Sequence, residues 1–216
     1  MKRLLIALML LAVASPASAA LTKSTAIDVI DAWQLVAEGT MVTGEPCSVS
    51  DSYESVLYIE VAPAEAGETT GSYVYVEVSY GDDDWTLLTG QPFKSTAATP
   101  GVSDVNEAIT DANTVVDLTD AVAGNFDVPG RKWFIVEAVT ANSETVRTKS
   151  HASDACTLAS AVKNSHADTT VVIDLVDEWV VKIPMAVAYV RTSVYNTDTG
   201  QDAAFTTRIS KVTALN

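Results

Sequence analysis

Much of the chain alternates apolar and polar residues with the two-residue period of a half-buried β-strand. In residues 72–80, Ser-Tyr-Val-Tyr-Val-Glu-Val-Ser-Tyr, Val74, Val76 and Val78 share one face, while Tyr73, Tyr75, Glu77 and Ser79 share the other. Upstream, Val56 to Val61 is β-branched and aromatic and ends at Ala62-Pro63, followed by a polar loop to Gly71. Downstream, Gly81-Asp82-Asp83-Asp84 reverses the chain into Trp85-Thr-Leu-Leu, so residues 72–89 predict a hairpin. The C-terminal part follows the same grammar. Glu178 to Ile183 is a strand stopped by Pro184, and Val187 to Tyr195 is another, closed by the turn Asn196-Thr-Asp-Thr-Gly200. Ala203 to Val212 alternates Phe205, Thr207 and Ile209 with Thr206, Arg208 and Ser210.

Residues 24–37 carry two signals. Ile27, Ile30, Trp33 and Val36 fall at helical spacing, yet the β-branched start suits a strand, and the surrounding β pattern favours the strand. Residues 94–112 read as a polar linker. Beyond it, shorter strands follow at 114–118, 132–137, 144–148, 156–159 and 170–173, punctuated by turns at Pro129-Gly130, 141–143 and Ser153-Asp154. This spacing predicts a compact small barrel or sandwich. The expected fold is all-β: a β-sandwich, jelly-roll or Ig-like, formed by residues 20–100 plus 175–216, with a small β-barrel-like module inserted at 101–174.

The first nineteen residues differ in kind. Lys2 and Arg3 precede an apolar run, Leu4 to Val13, and Ala17-Ser18-Ala19 has the small-x-small form of a signal-peptidase site. The run is shorter than the roughly 17–25 apolar residues of a membrane-spanning helix. It predicts a secretory signal with Ala20 as the mature start; the other reading is an uncleaved apolar arm. Hydrophobic residues make up 48% and charged residues 19%, which is globular rather than disordered composition. The formal net charge is −15, and loss of Lys2 and Arg3 makes it more negative. That field repels nucleic acid and anionic membranes, so neither is expected as a partner.

An exported chain can oxidise Cys47 and Cys156 to one long-range disulfide; the other reading is two small buried residues. No Cys-x-x-Cys spacing points to zinc. His151 and His166 are the two histidines any Ser–His–Asp triad must draw on, and no Gly-x-Ser-x-Gly elbow accompanies them, so a surface or capping role is expected for both. Asp82, Asp83 and Asp84 are the densest carboxylate cluster and the candidate Ca²⁺ ligands. They lack EF-hand spacing, and adjacent strand residues point to opposite faces, so no metal or cofactor is expected. Tyr73, Tyr75 and Trp85 have the chemistry to stack on sugars or to pack a sheet. No pair of carboxylates stands out as a hydrolytic dyad. The chain reads as non-enzymatic, with no catalytic residues.

Residues 124–172 carry a further pattern: Gly124-Asn-Phe-Asp-Val128, Gly130-Arg-Lys-Trp-Phe-Ile135, Asn142-Ser-Glu-Thr-Val-Arg147, Cys156-Thr-Leu-Ala159 and Val162-Lys-Asn-Ser-His-Ala167. It resembles a small β module of tailed-phage and prophage virion structural proteins, as do the flanks Ser50 to Tyr53 and Arg208 to Val212. Val162 stands where that pattern usually has Leu, and a signal peptide departs from proteins that assemble in the cytoplasm. The resemblance implies a capsid-decoration, tail or fibre subunit that works through protein–protein contacts, as a homo-oligomer or beside other particle subunits. The expected location is extracytoplasmic or on a virion surface. A secreted carbohydrate-binding or adhesin-like sandwich is the alternative, on the strength of the leader, the acidity and the aromatic residues.

Overall fold

The computed structural model describes residues 21–23, 28–65, 71–81, 84–122, 124–137 and 141–214. Residues 1–19, and with them the leader or arm, lie outside this set, as do Asp82 and Asp83. Among the described residues the architecture is all-β: seventeen strands, every pairing antiparallel, and no helix. No helix among them is therefore long and apolar enough to cross a membrane.

Two sheets form a sandwich. In the first, β17 (Ala203–Ala214) lies between β5 (Glu54–Pro63) and an edge shared by β1 (Leu21–Lys23) and β2 (Asp28–Val36), and β15 (Asp177–Ile183) flanks β5. In the second, β16 (Tyr189–Asn196) pairs with β6 (Ser72–Ser79). There β3 (Met41–Thr43) and β4 (Cys47–Ser48) share the far edge of β16, while β7 (Thr86–Leu87) and β8 (Phe93–Lys94) share that of β6. Leu57, Ile59, Val61, Phe205 and Ile209 from the first sheet meet Val74, Val76, Val78, Val190 and Val194 from the second in one buried core. These are the alternating positions of the sequence, since side chains two residues apart share a strand face.

Between β8 and β15 the chain builds six further strands in the order β10 (Val115–Asp117), β13 (Ala155–Leu158), β12 (Glu144–Ala152), β11 (Lys132–Val136), β14 (Val171–Ile173) and β9 (Val102–Asp104). A bridge from Val105 to Leu118 brings the two edges of this sheet together, giving a small barrel-like module. A bulge between Thr148 and Ser150 lets β12 leave β11 and turn onto β13. Phe126, Trp133, Ile135, Val146, Cys156, Leu158 and Val172 fill its interior. The Trp133 indole donates to Thr148 Oγ1 (3.0 Å), which in turn donates to the Phe126 carbonyl (2.6 Å). At Gly124 a Cβ would stand 1.9 Å from the Phe126 ring, and at Gly101 it would stand 2.4 Å from Gly124 Cα, so these two positions admit only glycine without repacking.

The expected strands are present with small boundary shifts, and residues 28–36 form a strand rather than a helix. The expected hairpin at 72–89 is the β6–β7 pair. The expected linker at 94–112 differs. It contains β9, a three-residue strand of modest propensity held by its ladder to β14. Cys47 and Cys156 are both free thiols. Cys47 packs against the sandwich core and Cys156 lies inside the module, so of the two readings left open, a disulfide or two unrelated residues, the structure has the second.

Candidate functional site

The module sits on the outer face of the first sheet. Outward-facing residues of β5 and β17 alternate with the core set, and Ala62 and Ala204 among them leave room for a large side chain. Phe134 of β11 fills that room and packs against Trp33 of β2, the rings tilted by 37° with centroids 4.2 Å apart. Beside this apolar seam Glu60 gathers polar partners. Lys132 Nζ bonds Glu60 Oε1, Thr145 Oγ1 donates to Oε2 (2.9 Å), and Arg208 lies 3.4 Å from the same oxygen. Lys132 also reaches Glu178 (2.8 Å), which receives Arg147 (3.2 Å). The Lys132 hydrogen bond holds the Glu178 carboxyl below the usual range, with the charges of Lys132 and Arg147 adding to it and partial burial opposing.

A cleft of about 510 Å³ opens at the edge of this seam, lined by Arg131, Lys132, Arg147, Asp174, Asp177 and Glu178. Its charges are spent on close neighbours. Arg131 pairs with Asp174 (2.9 Å), Asp177 receives the Thr96 backbone N–H and hydroxyl, and Lys132 and Arg147 share Glu178.

A second constellation lies at the end of the module. The side chain of His166 is fully buried. Its Nδ1 stands 3.3 Å from Glu137 Oε2 and its Nε2 3.0 Å from Glu144 Oε1. Two carboxylates facing both ring nitrogens call for a doubly protonated imidazolium, since carboxylate oxygens accept and do not donate. Burial alone would lower His166, but the hydrogen bonds to Glu144 and Glu137 outweigh it and hold the ring above its ordinary value. Burial alone would likewise raise Glu144, but His166 and the backbone N–H groups of Lys163 and Asn164 outweigh it and lower the carboxyl. The surface or capping role expected for His166 is therefore corrected to a buried ionic clasp, which joins the Glu137 and Glu144 ends of the β11–β12 hairpin to the turn after β13. His151 is exposed on β12.

The third arrangement is the outer face of the second sheet. Cross-strand register sets Met41, Tyr195, Tyr73 and Lys94 in one row, Thr43, Ser193 and Tyr75 in the next, and Arg191, Glu77 and Leu87 in the third. Arg191 Nε donates to Glu77 (3.0 Å) and its guanidinium lies 4.1 Å from the Trp85 ring centre. Lys94 stands over Tyr73 at 5.4 Å. Tyr73, Tyr75 and Trp85, singled out from sequence as stacking residues, thus belong to one surface, two of their rings already faced by cations. Of the candidate Ca²⁺ ligands, Asp84 is exposed and the other two lie outside the described residues. Among the described residues no group of three His, Cys, Asp or Glu side chains is placed to hold a metal. Cys156 is buried, and that burial, with Asp127 adding, pushes its thiol up to about 11, far from a reactive thiolate.

Sequence reasoning singled out neither Glu60 nor the Glu137–His166–Glu144 clasp. Glu60 sits at an outward position of an alternating strand, and nothing in the alternation says that another sheet covers it.

No family model matches the chain. No curated protein matches it either. Among solved structures it is matched to VP17, a capsid protein of bacteriophage P23-77, at 8% identity over 87% of this chain and 99% of that one, with a TM-score of 0.18. Superposition at that score carries no argument about shared fold or role.

Proposed function

We propose that this chain is a non-enzymatic structural protein, a phage-like virion or extracellular particle component that works through protein–protein contacts. The observation that carries the reading is the tyrosine-rich outer face of the second sheet, which lies on the far side of the sandwich from the docked module. Met41, Tyr189 and Tyr195 are exposed there as large amphipathic side chains. Tyrosine and methionine are enriched in protein interfaces, because they supply contact area without a net charge to desolvate. The charges lining the seam and its cleft support the same reading, since they bond to each other or, for Asp177, to Thr96 rather than converge on an open position. The secreted sugar-binding alternative draws on the same aromatic rings. A sugar stacks on a ring face, and Arg191 and Lys94 occupy faces of Trp85 and Tyr73. That occupancy favours the assembly reading.

The test is electron microscopy of the purified full chain at high concentration, paired with affinity purification of the tagged chain from its source. Ordered oligomers, or incorporation into particles with stoichiometric protein partners, are expected. Monodisperse monomers with no co-purifying protein would overturn the proposal.

A further inference from the structure

We infer that the outer face of the second sheet is a self-association face whose occupant is a second copy of this chain; the inference rests on the assembly reading above and names its partner. Three observations carry it.

The first is charge. The six strands β3, β4, β6, β7, β8 and β16 hold three charged side chains, Glu77, Lys94 and Arg191. Glu77 is neutralised by Arg191 and also accepts from Ser193 Oγ (2.9 Å). The strands of this face thus carry one net positive charge in a molecule of formal charge −15. A basic partner would be drawn to the acidic remainder of the surface, whereas a copy of this acidic chain meets least repulsion here. The acidic side chains Glu45 and Asp84 are exposed in the flanking turns, where charge tunes register more than strength.

The second is self-complementarity. Tyr73, Tyr75 and Tyr195 stand in adjacent rows flanked by Ser193 and Thr43. Under a two-fold axis each copy presents the same patch to the other, so amphipathic tyrosines meet tyrosines and hydroxyls, with Arg191 paired to Glu77 and Lys94 held over Tyr73.

The third is area. Four strand widths at about 4.8 Å and eight residues of β6 and β16 at about 3.3 Å give a flat face of roughly 500 Å². A stable interface takes about 800 Å² per partner, so one such contact is weak alone and dissociates on dilution. Repeated across an array of fixed copies, it holds through effective concentration.

Sedimentation equilibrium of the full chain up to about 1 mM tests this. The variants are the double substitution Tyr189→Glu/Tyr195→Glu and, as a charge-matched control, Val122→Glu/Val128→Glu, two exposed positions on the module. The wild type should rise with concentration from the monomer mass toward twice it. The double variant, with an unchanged melting curve, should associate at least tenfold more weakly, and the control within twofold of wild type. If the wild type associates and the double variant does so equally tightly, this face is not the contact, and the assembly reading survives without it. If the wild type stays monomeric at that concentration and is absent from particles, both fall. Binding of wild type to a glycan array that Tyr195→Glu abolishes would make a sugar the occupant and overturn the inference.

Discussion

Phe134→Ala should separate the module from the sandwich without emptying either core. Phe134 is fully buried, but its ring points out of the module interior onto Trp33, Ala62, Ala64 and Ala204. Phe-to-Ala truncation at buried sites costs about 3–5 kcal/mol. The small residues around this ring cannot close the gap, which puts the loss near the middle of that range, about 4 kcal/mol, including about 1 kcal/mol for the Trp33 ring pair. The remaining seam is polar and partly hydrated, with Lys132 and Glu60 side chains 15% and 13% exposed, and such pairs do not replace lost packing. Fluorotryptophan ¹⁹F NMR during urea unfolding reads both parts, because Trp133 lies in the module core and Trp179 packs on the sandwich core. The wild type should lose both resonances at one midpoint, and Phe134→Ala at two. A loss under about 1 kcal/mol, or midpoints that shift together and stay coincident, would refute the reasoning.

Four further outcomes are expected. The Thr207 hydroxyl is buried in the sandwich without a hydrogen-bond partner, so Thr207→Val should stabilise by about 1 kcal/mol, read by thermal melting. His166, raised above its ordinary value, contributes stability that is full below the unfolded value and lost as pH rises through the folded one. Glu144, lowered from 4.5, contributes stability present above its unfolded value and lost as pH falls through the folded one; urea midpoints against pH should show both limbs, and His166→Gln should flatten the alkaline one. Gly124→Ala drives a methyl into the Phe126 ring and should cost at least about 1–3 kcal/mol in denaturant titration of the module. A thiol reagent should label half-buried Cys47 in the native protein and reach Cys156 only after unfolding, and two equally fast native thiols would contradict the described burial.

Strand positions were legible because burial and alternation coincide along β5, β6 and β17, where Val74, Val76 and Val78 mark the core side without ambiguity. The hidden part is where a second sheet covers the outward positions. Thr206 and Ser210 read as solvent-facing in the alternation yet are buried, and Ala204 is small because Phe134 needs its space. Short strands such as β3, β4, β7 and β9 carry too few residues to show a period and exist through their ladder partners. His166 was found as a residue but not as a site. Its two carboxylates come from β12 and from the chain just after β11, and only the hairpin brings them together.

The module enters and leaves the sandwich at one point. Gly101 and Asp174 bond each other through both backbone and side chain, and β9 and β14 run side by side from there. For the sandwich, a folded module is therefore a short link. An unstructured insert of roughly 70 residues would lengthen the loop between β5 and β15 somewhat more than twofold and add about 1 kcal/mol of closure entropy to their pairing, a cost that folding of the module removes. The same junction separates connection from cover: another domain whose ends lie one strand spacing apart would leave the sandwich register alone, but it would also have to cover Trp33, Ala62 and Ala204.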